Sequence, residues 1–415
     1  MPASILLRTL TPPEHGQDPA LLLYERALEG ARRHFGRAQK SYDGSALPQA
    51  MSKRLGFELE LISRTDSAPL FLMAADLALH CRQNGNPISP GLGHTPSSLV
   101  AYVLGITTID PLQHELLFEQ IINPDDPRPP HLGVAVGSLE QAVAHLHSVH
   151  GNMLGKPCPN EVTEALELWE SPVLMILKRF LERVERKTGK RPKLEEIPET
   201  DPVAWALLNR GPFDILRTKK IVESGLMTEI EVEACGFKPN ATTNFGGWDC
   251  DRDFPVTSIE QLAIREILTW PKHSNSWALC DVREELVARR NGKAEVLVPH
   301  PLLEPVLAET WGVMVYQEQM LRAVSTLTGW SLGRAELFRK AMGRARPDES
   351  WKWSDRFVEA SMERGRPLSA GVNLATCMAD WALTVRPKSH HLGEALDLYR
   401  LAWVVAHHPD ALRAQ

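Results

Sequence analysis

The chain has 415 residues, 43% hydrophobic and 24% charged, which excludes wholesale disorder and a coiled-coil rod and leaves room for two or three domains of ~150 residues. With 46 Lys and Arg against 52 Asp and Glu the net charge is -6, so any nucleic-acid contact must come from a local patch rather than bulk charge. Six scattered cysteines without a C-x-x-C pair, no leader pattern, and no apolar run near the ~20 residues of a membrane span lead us to expect a cytoplasmic protein with free thiols.

Residues 1–20 carry Pro12, Pro13, Gly16 and Pro19 and read as an irregular lead-in. Apolar residues then recur at helical spacing within Leu21–Gly36, Leu55–Ile62 and Leu70–Cys81, which predicts three helices. Pro87–Ser98 is a Gly/Pro/Ser loop in front of an apolar segment, a form that can hold phosphate. Four prolines exclude helix in Asn123–Pro130. The next six residues alternate: Leu132, Val134 and Val136 on one face of a strand, His131, Gly133 and Ala135 on the other.

Leu166–Arg186 reads as helical and runs into the one strong basic stretch. There Lys178, Arg179, Arg183, Arg186, Lys187, Lys190, Arg191 and Lys193 outnumber Glu182 and Glu185. That stretch suits either a phosphate-backbone track or a solvated helix face with i,i+4 pairs. Pro239–Pro255 is polar and Gly-rich, a surface loop, and Glu304–Leu412 alternates helical patterns with Gly and Pro stops. His390-His391 and His407-His408 lack metal-ligand spacing and read as structural. Tyr316 and Glu318 read as buried hydrogen-bonding groups, and Trp311, Phe338, Trp351, Trp353, Phe357 and Trp381 as core. Around Trp351 and Trp353, aromatics interleave with cations as a single-strand stacking platform requires.

Four segments in order resemble the alpha subunits of bacterial DNA polymerase III, the C-family polymerases and their error-prone relatives. They are Ser89–Pro124, with "SLVAY" after a glycine loop; His300–Leu321, with "YQEQ"; Phe338–Glu349, with "RKAMGR"; and Pro387–Leu412, with "KSH". The resemblance implies an α+β chain, with a reduced nucleotidyltransferase-like palm over 21–170 and mainly helical fingers over 171–415. The family's thumb would shrink to a connection near 151–164, and its PHP and C-terminal domains find no room.

By the same resemblance, the first two metal-binding aspartates fall on His131 and Gly133, and the third acid on Glu167, on a strand adjacent to theirs. In the phosphate loop Gly91, Gly93 and Ser98 keep the frame, while Leu92 replaces Arg and His94 replaces Ser. Trp270-Pro271 stands where the family has Arg-Pro-Gly-Pro, and Arg339, Lys340, Arg344 and Lys388 are the remaining fingers cations. Two-metal chemistry needs carboxylates that His131 and Gly133 do not supply, so no cofactor is expected. Mg2+ enters only under the alternative, an active DNA polymerase using Glu167 and non-standard ligands. The expectation is an inactive pseudo-polymerase that binds DNA, weakly and without sequence preference, or a replication or repair protein.

Overall fold

In a computed structural model of the chain, the described residues are 4–9, 18–38, 47–151, 154–155, 165–210, 253–269, 278–343, 347–383 and 385–412. The fold is α+β: a small sheet set among many helices. Strands β1 (Ser4–Thr9), β2 (His131–Val136), β3 (Leu154–Gly155) and β4 (Ala165–Glu170) lie in the order β2-β4-β1-β3. β2 and β4 are parallel, and β1 is antiparallel to β4 and β3. A parallel pair needs a crossover, and α5 (Leu139–His150) lies in the connection from β2 to β4.

Two sequence expectations are corrected here. Residues 4–9 belong to a strand rather than an irregular lead-in, because their backbone is paired with β4 over residues 4–7 and with β3 over residues 8–9, both far away in sequence. Residues 165–170 are a strand rather than the start of a helix. Leu166 and Leu168 are fully buried on one face while Glu167 and Trp169 take the other, the period of a strand. The helix α6 (Pro172–Thr188) starts only after Ser171, whose side chain accepts from the Leu174 amide, with Pro172 at the first turn. It stops at Gly189, whose φ of 70° closes the last turn.

The inward face of β2 and β4 (Leu132, Val134, Leu166, Leu168) joins a core with α1 (Pro19–Ala38), α2 (Gln49–Arg64), α3 (Ala68–Gln83), α4 (Leu99–Val103) and α5. A second core gathers α6, α7 (Pro202–Arg210) and α8 (Ile259–Thr269) around the long α15 (Lys388–His407). There the Trp205 and Tyr399 rings meet at 4.5 Å, and the Tyr399 hydroxyl donates to Pro198 O at 2.6 Å.

The remaining helices follow in chain order: α9 (Ala278–Arg290), α10 (Glu304–Leu307), α11 (Gln317–Thr328), α12 (Leu332–Gly343), α13 (Pro347–Glu363) and α14 (Leu368–Ala382). The last four enclose a third core in which Trp330, Phe338 and Phe357 pack edge to face or stacked, with Trp353 edge to face against the first two. The helical reading of Glu304–Leu412 holds, and α16 (Pro409–Leu412) completes it. Trp353 is half-buried and packs against this core rather than within it, and Trp351, also expected in the core, is 64% exposed. Among the described residues no helix is long and apolar enough to cross a membrane. Most of the Pro239–Pro255 loop, Trp270-Pro271, Arg344 and most of 151–164 lie outside the described residues.

Candidate functional site

The parallel register of β2 and β4 sets Gly133 against Glu167, His131 against Ala165, and Ala135 against Trp169. Alternation therefore puts His131, Gly133, Ala135 and Glu167 on one face, opposite the first core. His131 is exposed, Ala135 is buried, and Gly133 and Glu167 are half-buried. The sequence-derived pair of strands is thus brought together, with a single carboxylate, Glu167, on the shared face at this level.

That face is roofed by the glycine loop. Leu92 bridges to Gly133, and Thr95 Oγ1 accepts from Gly133 N at 2.8 Å and donates to Gly133 O at 2.9 Å. A Cβ at position 133 would come within 3.1 Å of Leu92 Cδ2 and Cγ and 3.2 Å of Leu92 O. Leu92 fills the space over the strand with hydrocarbon.

The start of α4, where a loop-helix junction could offer amides to phosphate, already holds an anion. Glu58 of α2 is fully buried and accepts from Ser98 Oγ at 2.7 Å, Leu99 N at 2.8 Å and Val100 N at 2.9 Å. Arg54 donates to the same carboxylate and also to Ser97 O at 2.8 Å. Sequence reasoning missed Glu58. The one available signal was an acid among the apolar residues of a helix; its partners lie some forty residues on.

The other side of the loop is gripped by α15. His390 Nδ1 accepts from Gly93 N at 3.2 Å, Ser389 Oγ donates to Gly93 O at 2.8 Å, and Ser89 Oγ donates to Asp397 Oδ2 at 2.8 Å. Gly91 and Gly393 meet backbone to backbone, since a Cβ on Gly393 would sit 2.2 Å from Gly91 O. His390 and His391 both reach Glu394, at 3.4 and 3.0 Å, the structural role expected for this pair. Desolvation pushes the His94 imidazole down to about 4, so it stands neutral at pH 7, with Glu336, Arg339, Lys340 and His390 close enough to act on it electrostatically. Burial holds the Asp397 carboxyl up at about 7 against the pull of Arg400 and the Ser89 hydroxyl.

Of the cations carried over from the fingers resemblance, the described ones, Arg339, Lys340 and Lys388, are committed to protein acids. Arg339 makes a two-pronged pair with the buried Glu336 at 2.7 and 2.8 Å, and Lys340 joins it at 3.2 Å. Lys388 Nζ pairs with Glu309 Oε2 at 2.6 Å, while its backbone N–H donates to Glu318 Oε2 at 2.9 Å. Tyr316 and Glu318 are buried as read, but of the two only Glu318 accepts through its side chain, the Tyr316 hydroxyl having no partner among the described residues; burial raises the pKa of both above the usual range.

Much of the basic stretch is also engaged locally. Arg183 Nη1 donates to Leu412 O at 3.2 Å and Lys187 Nζ to Asp410 O at 2.6 Å, which ties α16 to α6. Lys178 pairs with Glu182, Arg191 with Glu185 and Lys193 with Glu196, at 3.3, 3.0 and 2.8 Å, and Arg186 Nε reaches Glu182 O at 3.4 Å. Arg179 is half-buried and Lys190 exposed. The local pairing predicted by one of the two sequence readings is present, and the stretch lies on α6 and beyond, apart from the strand face of Gly133 and Glu167.

Two-metal chemistry needs carboxylates from both strands converging on a pair of cations. Glu167 beside Gly133 and exposed His131 does not fit that group, and among the described residues no three His, Cys, Asp or Glu side chains form a cluster able to hold a metal ion.

Residues 22–150 match the family described as the bacterial DNA polymerase III alpha NTPase domain, and residues 275–365 the family described as the bacterial DNA polymerase III alpha subunit finger domain. Among curated proteins the chain is similar to DNA polymerase III subunit alpha of Pseudomonas fluorescens, at 26% identity over 90% of this chain and 40% of that protein. It is likewise similar to the subunit of Aquifex aeolicus, at 25% identity over 93% and 43%, and of Neisseria meningitidis serogroup B, at 27% over 87% and 39%. The chain spans about two fifths of the length of these relatives.

Proposed function

The chain is a relative of the bacterial DNA polymerase III alpha subunits, and from that premise we propose that it is a pseudo-polymerase, keeping a palm-and-fingers scaffold without deoxynucleotidyl transfer. The observation that carries the reading is Glu167 standing against Gly133 under the Leu92 side chain. A transferable phosphoryl group needs metal-held charge on both sides of the strand pair, and here one side offers no carboxylate. Glu58 supports the same reading, because it occupies the amides at the start of α4 that would otherwise face an anion.

Binding is then the function left to the scaffold. The partner is DNA, held weakly and without sequence preference, or a protein of replication or repair. The relatives' name, DNA polymerase, is the ground for DNA.

The deciding experiment is primer extension by the purified chain with all four deoxynucleotides and Mg2+ or Mn2+. No extension is expected. Extension abolished by Glu167→Ala would overturn the proposal and favour an active enzyme with unusual ligands.

A further inference from the structure

α13 and α14 form a hairpin against the third core, with Gly371 of α14 buried on Val358 of α13, where a Cβ would meet Val358 Cγ1 at 3.4 Å. The outer side of this hairpin leaves large apolar side chains in solvent. Trp351 and Met362 of α13 are 64% and 45% exposed, and Leu368 and Val372 of α14 are 57% and 47% exposed. Trp351 and Met362 stand three turns apart on one face of α13, with Val358 between them. Because Val358 touches Gly371, that strip of α13 borders the exposed strip of α14, and an apolar group continuous along one face marks an interface where single apolar residues would not.

Beside the strip, α13 carries Lys352, Asp355, Arg356, Glu359 and Glu363, all exposed. Among the described residues none of these five is ion-paired, and Arg356 does no more than lie over the Trp353 ring at 5.4 Å. α14 adds a single charged residue, Asp380, over its whole length.

The order of these residues along α13 is mirrored in sign. Lys352 and Glu363 lie equally far from the point between residues 357 and 358, as do Arg356 and Glu359, and Trp351 and Met362 straddle the same region. A second copy related by a two-fold axis at that point, its α13 antiparallel to the first, sets Lys352 against the partner's Glu363 and Arg356 against the partner's Glu359. Trp351 then covers the partner's Met362 and Leu368. Val372, next to the Gly371 that packs on Val358, is level with the axis and meets the partner's Val372. A surface that complements itself in this way is what a closed two-fold contact requires, and a foreign partner does not require it.

We propose that this patch is the interface of a homodimer, with the apolar strip at its centre and the charges at its rim. From Trp351 to Glu363 the overlap is about 18 Å long and two helices wide, at the low end of specific interfaces, so dimer and monomer exchange at micromolar concentrations. Asp355, without a cation opposite, holds the affinity down. The interface involves neither Gly133 nor Glu167 and holds whether or not the chain extends primers.

Sedimentation equilibrium of the full chain from about 1 to about 100 µM tests it, and a reversible monomer–dimer curve is expected. Trp351→Ala and Val372→Asp should each weaken the dimer at least about tenfold, as the loss of an interface anchor does. Arg356→Glu alone and Glu359→Arg alone set like charges across the axis and should weaken it, whereas the two together recreate the pair and should return the parent's affinity. Leu383→Ser, at a side chain 63% exposed just beyond α14 and outside the overlap, should change nothing. All these side chains are exposed, so the variants keep the fold. A chain that stays monomeric throughout, whether or not the patch then takes up single-stranded DNA or another protein, overturns the proposal. So do open-ended association, unchanged affinity in Trp351→Ala or Val372→Asp, an equal loss in Leu383→Ser, or failure of the double swap to restore what either single swap loses.

Discussion

Gly133 of β2 and Glu167 of β4 are register partners across a parallel strand pair, so the single acid of this face stands beside a position that has no side chain. Leu92 occupies the space above the glycine. Restoring an acid there is therefore a packing problem before it is a chemical one.

Gly133→Asp is expected to destabilise the fold by about 1–3 kcal/mol, the usual cost of overpacking, because the new Cβ arrives 3.1 Å from Leu92 carbons. Urea unfolding measures this, and adding Leu92→Ala should return part of the loss. His131→Asp with Gly133→Asp should gain no primer extension. A variant as stable as the parent would show that the loop moves aside freely.

Glu58→Ala should be among the most damaging single changes in the first core. It strands a charged Arg54, at 17% side-chain exposure, and leaves the Leu99 and Val100 amides without their acceptor. Breaking a buried pair of this kind costs about 3–5 kcal/mol. Glu58→Gln keeps an acceptor oxygen and should lose less. Equal unfolding midpoints for Glu58→Ala and the parent would contradict the cap.

Asp397 makes stability depend on pH. The folded chain keeps this proton up to about 7, whereas the ordinary carboxyl value is 3.8. Between those two values the folded state binds more protons than the unfolded one, so this residue's contribution falls as pH rises and levels off above about 7. Asp397→Asn still accepts from Ser89 and removes the ionisation. Relative to the parent, its stability should gain about 2–4 kcal/mol between pH 4 and pH 8. Parallel stability curves for the two proteins would show that Asp397 is ionised throughout.

DNA titration tests the basic stretch. Any affinity should be about micromolar or weaker at physiological salt and fall steeply with added salt. Charge reversal at Arg183, Arg186 and Lys187 should weaken binding about equally for different sequences. Because Arg183 and Lys187 also hold α16, that variant should unfold earlier as well, whereas Lys190→Glu should lose affinity at unchanged stability. If reversal leaves binding intact, DNA is not held here.

What the sequence discloses here is local. Alternation over 131–136 is enough to identify β2, and Gly and Pro stops outline the helices of 304–412, because those signals lie within one element. β1 escapes notice because its apolar run makes sense only against β4, some 160 residues away. The basic stretch is visible as charge, but its commitments to Asp410 and Leu412 are not, since those carbonyls arrive from the far end of the described chain. Glu58 is hidden in the same way: a capping carboxylate is recognised by the amides it meets, and those belong to another helix.

The backbone meeting of Gly91 and Gly393 links points some 300 residues apart and bears on the order of assembly. Residues 388–412 supply walls for α6, α7 and α8 and the seat for the loop at 89–98, so a chain emerging from the ribosome cannot finish its second core until they are made. Non-local closure of this kind slows folding and leaves apolar surface waiting. Partial synthesis should therefore yield an aggregation-prone intermediate in need of a chaperone, even though the first core draws only on residues before 170.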